Sequence, residues 1–210
     1  MLREMNLEDL SKNHNLTICG VINVGAYLAK EYETFKKMNI RNIIFIEANP
    51  NIIENLKNNV GPECLIYNHL IYDKDDVELD FKISNHLQSS SILDFARHKL
   101  YHPDYSEVTS VIKLKTKTLD TVVEESNMSL IDYNILMMDV QGAENFVLDG
   151  FKKNIKFMDY IFTEVNFEQM YSNCIMFGQL NVVLRDLGFK LLEHFDTGKG
   201  WGDALYARIK

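Results

Sequence analysis

Residues 20–50 have the sequence GVINVGAYLAKEYETFKKMNIRNIIFIEANP, in which two apolar runs flank a helical pattern. The first run ends at Gly25, and the second ends in the acidic residue Glu47. This order is typical of half of a nucleotide-binding unit, with the acid about 20 residues past the turn. A glycine lets a ligand approach the backbone, and a carboxylate can accept two hydrogen bonds from a ribose 2′,3′-diol. A single unit of this kind is also common without a ligand, so the stretch alone leaves both interpretations open.

The turn after the first strand contains one glycine instead of the G-x-G-x-x-G triplet of proteins that bind a pyrophosphate. Ala26 and Tyr27 follow Gly25 and leave less room for a diphosphate. The turn therefore favours a nucleotide ligand without a diphosphate, such as S-adenosylmethionine.

The composition fits one globular domain, because 210 residues with 46% hydrophobic side chains can bury a sizeable core. We expect this domain to extend over residues 1–210, with a helical segment at 1–15 and an insertion over the site at 76–119. The formal net charge of −8 argues against nucleic acid as a partner. The sequence does not fix the oligomeric state, and a homodimer is one option.

The cysteines Cys19, Cys64 and Cys174 lie far apart and show no C-x-x-C spacing. They predict neither a disulfide framework nor a thiolate zinc site. The first 15 residues lack the apolar segment of a secretory signal, and no apolar run approaches the roughly 20 residues that cross a bilayer. We therefore expect a cytoplasmic protein without a membrane span.

Apolar periodicity predicts alternating strands and helices, which implies an α/β protein with a parallel sheet and helices on both faces. Two strands joined by a short loop at the end of the chain predict an antiparallel edge hairpin. Strands are expected at 18–24, 42–46, 64–70, 77–83, 108–119, 133–138, 160–163, 189–194 and 204–209, and helices at 2–13, 26–38, 92–100, 143–148 and 175–187. A further helix is expected to start near Pro50, with Asn49 as its N-cap.

Polar residues follow several of these predicted strands, namely Gly25, Glu47, Asp139, Glu164 and Asn166. In open α/β sheets, ligands bind outside the carboxyl ends of the strands. A single acid at such a position is more often a solvated turn or a helix cap. Three acids on one edge favour a functional site.

Seven segments, from about residue 20 to the end of the chain, stand in the order VINVGAYLAKE, FIEANP, SSSIL, KTLD, MMDVQGAE, FTEVNFE and WGDALYARI. Together they resemble the FkbM family of S-adenosylmethionine-dependent methyltransferases. The resemblance implies a class I methyltransferase (Rossmann-like) fold, with a seven-stranded, mostly parallel sheet and an antiparallel C-terminal edge hairpin. It also implies S-adenosylmethionine as the cofactor and O-methylation, often of sugars or of secondary-metabolite hydroxyls.

The resemblance implies that Gly25 and its neighbours line the methionine part of the cofactor, that Glu47 holds the ribose diol, and that residues 68–70 lie near the adenine. This chain departs from the family at Asn23, where relatives usually have Asp, and at residues 27–29, where they have a small or glycine-rich stretch. An amide cannot pair with the ammonium group of the cofactor as a carboxylate does. The expected cofactor-binding residues are Asn23, Gly25, Ala26, Glu47, Ala48, Asn68, His69 and Asp139.

A sugar hydroxyl is a weak acid, so methyl transfer to it needs a general base or a divalent cation close to the oxygen. Asp139 is the first candidate for this centre, and Glu164 and Asn166 could share a cation with it. Their oxygen atoms suit magnesium or manganese better than zinc. His194 and His69 are alternative bases, because imidazole titrates near neutral pH, although either is more often a surface histidine.

The acceptor is expected to meet Ser90, Ser91, Trp201 and Asp203, in loops that follow the strands. A tryptophan can stack on a sugar, and an aspartate can accept its hydrogen bonds, but Trp201 is equally plausible as a packing residue. Three functions remain open: methylation of a sugar hydroxyl in glycan or polysaccharide modification, methylation of a small-molecule hydroxyl, and a catalytically degenerate cofactor-binding module. The departure at Asn23 keeps the third function open.

Overall fold

Seven strands form the central sheet of the structure, a computed structural model that describes residues 6–126 and 128–209. The strands of the described residues are β1 Gly20–Val24, β2 Asn42–Glu47, β3 Leu65–Asn68, β4 Leu70–Ile71, β5 Glu78–Ser84, β6 Val108–Lys117, β7 Ile135–Met138, β8 Tyr160–Asn166, β9 Phe189–Asp196 and β10 Trp201–Arg208. The central order is β3-β2-β1-β7-β8-β10-β9. All neighbours are parallel except β10, which is antiparallel to both β8 and β9. The predicted parallel sheet and edge hairpin are confirmed.

The helices of the described residues lie mainly in the connections between strands. In chain order they are α1 Leu7–His14, α2 Tyr32–Lys37, α3 Ile53–Asn59, α4 His98–Tyr101, α5 Leu119–Glu125, α6 Glu144–Asp149 and α7 Phe177–Asp186. The part of the first helix that was predicted over residues 2–5 lies outside the described residues. Within the described ranges, no helix has the length and apolar character needed to cross a bilayer.

A hydrophobic core covers each face of the sheet, because successive strand residues point to opposite faces. Ile22, Ile44 and Leu136 belong to the cluster on one face, and Val21 and Ile43 belong to the cluster on the other. Strand β1 is buried at all of its positions. Burial on both faces explains why β1 and β2 appear in the sequence as continuous apolar runs.

Strands β4, β5 and β6 form a second, three-stranded sheet, in which β5 and β6 are antiparallel and β4 runs parallel to β6. Leu70, Phe81 and Ile83 bury their side chains in its small core. The strand predicted over residues 64–70 is therefore two strands in two sheets. The first strand of this second sheet, β4, follows β3 almost directly in the chain. The second sheet therefore begins at the carboxyl ends of β2 and β3.

The helix predicted over residues 26–38 begins only at Tyr32. Tyr27 and Ala29 have left-handed φ angles of 49° and 52°, and hydrogen bonds join Ala29 N to Ala26 O and Tyr32 N to Ala29 O. Two consecutive tight turns therefore replace the first part of the helix. Apolar spacing cannot distinguish such turns from helix, because both place side chains at intervals of three residues.

Three further predicted boundaries were wrong. The helix predicted over 92–100 is restricted to α4, because Ser91 and Phe95 make isolated bridges to Lys82 and Tyr171. Strand β8 continues to Asn166, and β10 begins at Trp201, because the two strands pair along their whole length. Glu164, Asn166, Trp201 and Asp203 consequently lie in the sheet and not in loops.

Candidate active site

A cleft opens at the carboxyl ends of β1, β2 and β7, and we call it the cofactor cleft. Together with its open mouth it has about 660 Å³ of space that protein atoms do not fill. Its polar wall contains Gly25, Glu47 and Asp139, and its apolar wall comes from the second sheet and from the segment between β5 and β6. The apolar lining residues are Leu70, Ile71, Phe81, Leu87 and Ile92.

Gly25 connects β1 to the loop beneath this cleft. Its φ angle is +82°, and a Cβ atom there would lie 1.9 Å from the backbone oxygen of Asp139. The amides of Gly25 and Ala26 both donate to the carbonyl of Ile46, at 2.9 and 3.1 Å. The glycine is thus required by the close approach of β7, whereas the sequence suggested the approach of a ligand.

Glu47 is buried at the end of β2, with 7% of its surface exposed. Its Oε2 accepts a hydrogen bond from the amide of Tyr27 at 2.8 Å, and its Oε1 accepts one from Asn49 at 2.7 Å. Burial raises the pKa of this carboxyl, the two amides lower it, and the negative charge of Asp139 raises it. Each oxygen keeps a lone pair for a further donor, so the group can receive a ribose diol.

Only some of the other predicted cofactor contacts line the cofactor cleft. Ala48 and His69 line the cofactor cleft. Asn68 acts from behind it, where its Nδ2 donates to the carbonyls of Glu47 and Ala48 at 2.8 and 3.1 Å. Asn23 is buried in the middle of β1, and like Ala26 it is not among the lining residues.

Gln141 connects the acidic residues of the site. Its Nε2 donates to Asp139 Oδ1 at 2.5 Å and to Glu164 Oε2 at 3.2 Å. Its Oε1 lies 2.5 Å from the hydroxyl of Tyr171, which donates to it. The backbone of Gln141 has a left-handed φ angle of 57°, and its carbonyl accepts from Ser91 Oγ at 2.9 Å. One amide side chain therefore fixes the relative positions of two carboxyl groups and a phenol.

The acids around Gln141 share a low-dielectric environment. Burial raises the pKa of Glu164 well above its usual range, and the negative charge of Asp139 raises it further. Burial also raises the pKa of Glu144 to about 7, although hydrogen bonds from the backbone amides of Gly142 and Val140 lower it in part. Burial and the neighbouring negative charges therefore favour the protonated forms of Glu144 and Glu164, in which the carboxyl group has a hydrogen to donate.

A second cleft adjoins the first, and we call it the acceptor cleft. Gln88 and Gln141 line both clefts and form their boundary. The remaining lining residues combine aromatic, imidazole and polar side chains: Lys30, His86, Ser89, His98, His102, Tyr105, Glu164, Met170, Tyr171 and Trp201. Six of all the lining residues of this cleft (His86, Gln88, Ser89, His98, His102 and Tyr105) lie between β5 and β6 in the chain.

The predicted substrate contacts are distributed over this region. Trp201 lines the acceptor cleft, whereas Ser90 and Ser91 line the cofactor cleft. Ser90 Oγ accepts a hydrogen bond from the amide of Ser84 at 3.1 Å. Asp203 is fully buried in β10 opposite Glu164, and its charge raises the pKa of that carboxyl.

The divalent cation predicted for Asp139, Glu164 and Asn166 is not supported. Among the residues that the structure describes, no group of three or more His, Cys, Asp or Glu side chains could hold a metal ion. The side chain of Asn166 is completely buried, and neither of its polar atoms has a hydrogen-bond partner in the described part of the chain.

The structure also does not bring His194 to either cleft. Its ring packs between those of Phe167 and Phe177, with ring centres 5.9 and 5.0 Å away.

Several site residues were not predicted from the sequence, namely Gln141, Tyr171, His98 and Gln88. Gln141 lies within the quoted segment MMDVQGAE, so its position was indicated but its role was not. Tyr171 and His98 are brought together by the bridge between Phe95 and Tyr171. That contact spans more than 70 residues of sequence, and local patterns carry no signal for it.

The cofactor cleft fits S-adenosylmethionine on four observations. A buried carboxylate, Glu47, stands where a ribose diol would bind, and an apolar wall beside it suits an adenine ring. Asp139 adds a second polar side chain on the same wall as Glu47. No diphosphate-binding glycine loop is present in the described turn at residues 25–31, which agrees with a nucleotide ligand that lacks a diphosphate.

Two solved structures of methyltransferases are similar to this structure. The structure is similar to magnesium protoporphyrin IX methyltransferase from Synechocystis with bound SAM, at a TM-score of 0.51, with 8% identity over 96% of this chain and 76% of that chain. It is also similar to a methyltransferase from Aquifex aeolicus, at a TM-score of 0.50, with 9% identity over 96% of this chain and 89% of that chain. At such low identity these similarities establish the fold, and they confirm the predicted class I methyltransferase architecture.

Sequence comparison gives the family. The curated protein "2-O-methyltransferase NoeI" of Sinorhizobium fredii is 25% identical over 202 residues, which cover 90% of this chain and 79% of that protein. The Methyltransferase FkbM domain matches residues 23–191, which is most of the chain and includes both clefts except for Trp201. The chain therefore belongs to the FkbM family and is an S-adenosylmethionine-dependent methyltransferase.

Proposed function

We propose that the protein transfers a methyl group from S-adenosylmethionine to a hydroxyl of a sugar, in the modification of a glycan or polysaccharide. The observation that carries this proposal is the acceptor cleft beside the cofactor cleft. Its lining offers the rings of Trp201 and Tyr105 for stacking and several neutral polar groups for hydroxyls. A relative named as a 2-O-methyltransferase supports oxygen as the methyl acceptor.

The cofactor would be held by Glu47 at the ribose, by the apolar wall at the adenine and by the Gly25 turn and Asp139 at the methionine part. When bound, it supplies a methyl group on a positively charged sulfur, which keeps the electron pair of the broken bond. The residues of the chain have to position the acceptor oxygen in line and remove its proton.

Asp139 and Glu164 have different parts in this proposal. Asp139 stands at the wall of the cofactor cleft and orients the amide of Gln141. Glu164 lines the acceptor cleft, and its raised pKa makes it a donor to a sugar oxygen. His194 has no part in the proposal, because it lines neither cleft.

Calorimetric titration with S-adenosylhomocysteine tests the cofactor site. We expect micromolar binding to the wild type and a loss of at least 100-fold in affinity for Glu47→Ala, because two hydrogen bonds to a charged group would be lost. Glu54→Ala is the matched control, since Glu54 is exposed on α3 and pairs with Lys57. Unchanged affinity of Glu47→Ala would contradict the ribose assignment.

Methyl-labelled S-adenosylmethionine then tests the acceptor class, with a panel of monosaccharides and methyl glycosides against a panel of phenols. Turnover of a sugar supports the proposal. Turnover of phenols alone would replace it with the second function, methylation of a small-molecule hydroxyl. Cofactor binding without turnover of either panel would favour the degenerate module, for which Asn23 in place of the usual acid is the sequence argument.

A further inference from the structure

The ring of His98 is held rigidly at the acceptor cleft. His98 begins α4 and is 7% exposed, and its amide donates to the carbonyl of Met170 at 3.1 Å. Three rings surround the imidazole: those of Phe95, His102 and Tyr171 lie with their centres 4.8, 5.1 and 5.5 Å away. Because both backbone and ring are fixed, the two imidazole nitrogens have defined directions.

Proton counting at Ser106 assigns the tautomer of His98. The hydroxyl of Ser106 has one hydrogen, which it donates to the carbonyl of His102 at 2.6 Å. His98 Nδ1 lies 2.6 Å from the same hydroxyl oxygen. Since the oxygen has already used its hydrogen, Nδ1 must carry the proton and donate it. A neutral ring with its proton on Nδ1 has its lone pair on Nε2.

Nε2 of His98 makes no hydrogen bond to any residue in the described part of the chain, and His98 lines the acceptor cleft. We infer that His98 is the general base of the reaction, which removes the proton from the acceptor hydroxyl at Nε2, and that Ser106 is a positioning residue that fixes the required tautomer. This inference rests on the proposed function and adds the proton acceptor that the function requires.

The neighbouring acids are less suitable as the base. Glu164 also lines the acceptor cleft, but its raised pKa favours the protonated form, which has no proton-accepting charge. Asp139 lines the cofactor cleft, and its Oδ1 already accepts from Gln141. No local sequence pattern places His98 near the site, whereas His194 follows a predicted strand.

The environment keeps His98 neutral. Burial lowers the pKa of its imidazole to about 4, and repulsion from His102 and His86 contributes. The other titratable groups that line this cleft are Lys30, Tyr105, Glu164 and Tyr171. The ring is therefore ready to accept a proton at working pH without first losing one.

The proposed step balances. The acceptor oxygen forms its bond to the methyl carbon, its O–H bond breaks, and the proton moves to Nε2. His98 is then an imidazolium ion, which Ser106 Oγ stabilises at Nδ1 and which burial makes strongly acidic. The proton passes to water when the product leaves, so that one proton is released for each methyl group transferred.

Nitrogen NMR of histidine-labelled protein without cofactor tests the tautomer directly. We expect an unprotonated Nε2 and a protonated Nδ1 for His98, unchanged between pH 7.5 and 5. Ser106→Ala should admit the other tautomer, and Ser106→Thr should restore the wild-type signal because it keeps the hydroxyl. A protonated Nε2 in the wild type would overturn the inference, whatever the sugar panel yields.

Turnover of the sugar identified by that panel is the second test. His98→Asn should lower kcat by about 10²–10⁴-fold with unchanged affinity for S-adenosylhomocysteine, and Ser106→Ala should lower it less, with recovery in Ser106→Thr. His14→Asn is the control, because His14 lies on α1 and contacts Glu193. If wild type methylates a sugar and His98→Asn does so within threefold, the inference is wrong while the proposed function stands.

Discussion

Glu144 is a fully buried acid at the start of α6. Its Oε1 accepts hydrogen bonds from the amides of Val140 and Gly142 at 3.3 and 3.1 Å, while its Oε2 has no hydrogen-bond partner among the described residues. The charged form would therefore place negative charge on an unsolvated oxygen. Burial raises its pKa to about 7 for this reason, which couples the stability of the protein to pH.

The sign of this coupling follows from the raised pKa. The folded state binds the proton more tightly than the unfolded chain, so the stabilisation is complete below about pH 4.5 and is lost as the pH rises through about 7. Glu144→Gln imitates the protonated form. We expect nearly equal free energies of unfolding at about pH 4 and a variant more stable by on the order of 1–3 kcal/mol at about pH 8.

Urea unfolding at the two pH values measures the difference. Glu54→Gln serves as the control, because this exposed carboxyl should show no such divergence. A wild type and Glu144→Gln variant whose stability difference is the same at both pH values would show that Glu144 does not titrate in this range.

The position of a single site residue was predictable where the residue directly follows a predicted strand. Glu47 and Asp139 follow apolar runs and were placed at the site, and the structure brings both to the cofactor cleft. Gln141 was missed because its role depends on a left-handed backbone and on partners from other strands. His194 was favoured by its strand end, yet its ring packs between Phe167 and Phe177 and lines neither cleft.

Helix α2 shows how a local element ends. Asn39 has a left-handed φ angle of 57°, its amide donates to the carbonyl of Lys36, and Ile40 N donates to Phe35 O. These bonds satisfy the last carbonyls of the helix, and the helix ends at Lys37, within one residue of the predicted end at residue 38. Its start was mispredicted because Tyr27 and Ala29 adopt left-handed conformations that side-chain periodicity does not reveal.

The cap at Asn39 gives a stability prediction. Glycine adopts left-handed φ angles at lower cost than asparagine, so Asn39→Gly should raise the free energy of unfolding by about 0.5–1 kcal/mol. Asn58 is the matched control, since it is exposed inside α3, where Asn58→Gly should lower the stability by about 0.3–0.5 kcal/mol. Urea denaturation that gives the same sign at both positions would contradict the capping argument.

The whole fold was predictable because its signal is repeated along the chain. Five parallel strands give apolar runs, and the edge hairpin gives two alternating strands close together. The division of the site into two clefts was not predictable, because the acceptor cleft joins residues of the β5–β6 segment to Glu164, Tyr171 and Trp201. These contacts depend on how the second sheet packs on the first.

This division predicts that acceptor and cofactor binding can be altered separately. Trp201 lines the acceptor cleft and not the cofactor cleft. Trp201→Ala should therefore weaken the binding of a stacked sugar by about 1–3 kcal/mol, which corresponds to a roughly 5- to 150-fold rise in KM. The affinity for S-adenosylhomocysteine should stay within twofold. Thermal unfolding provides the readout, because a ligand at 100 times its Kd stabilises the protein by about 2.7 kcal/mol whenever its site is intact. If the variant loses this stabilisation, Trp201 supports both clefts and they are one site.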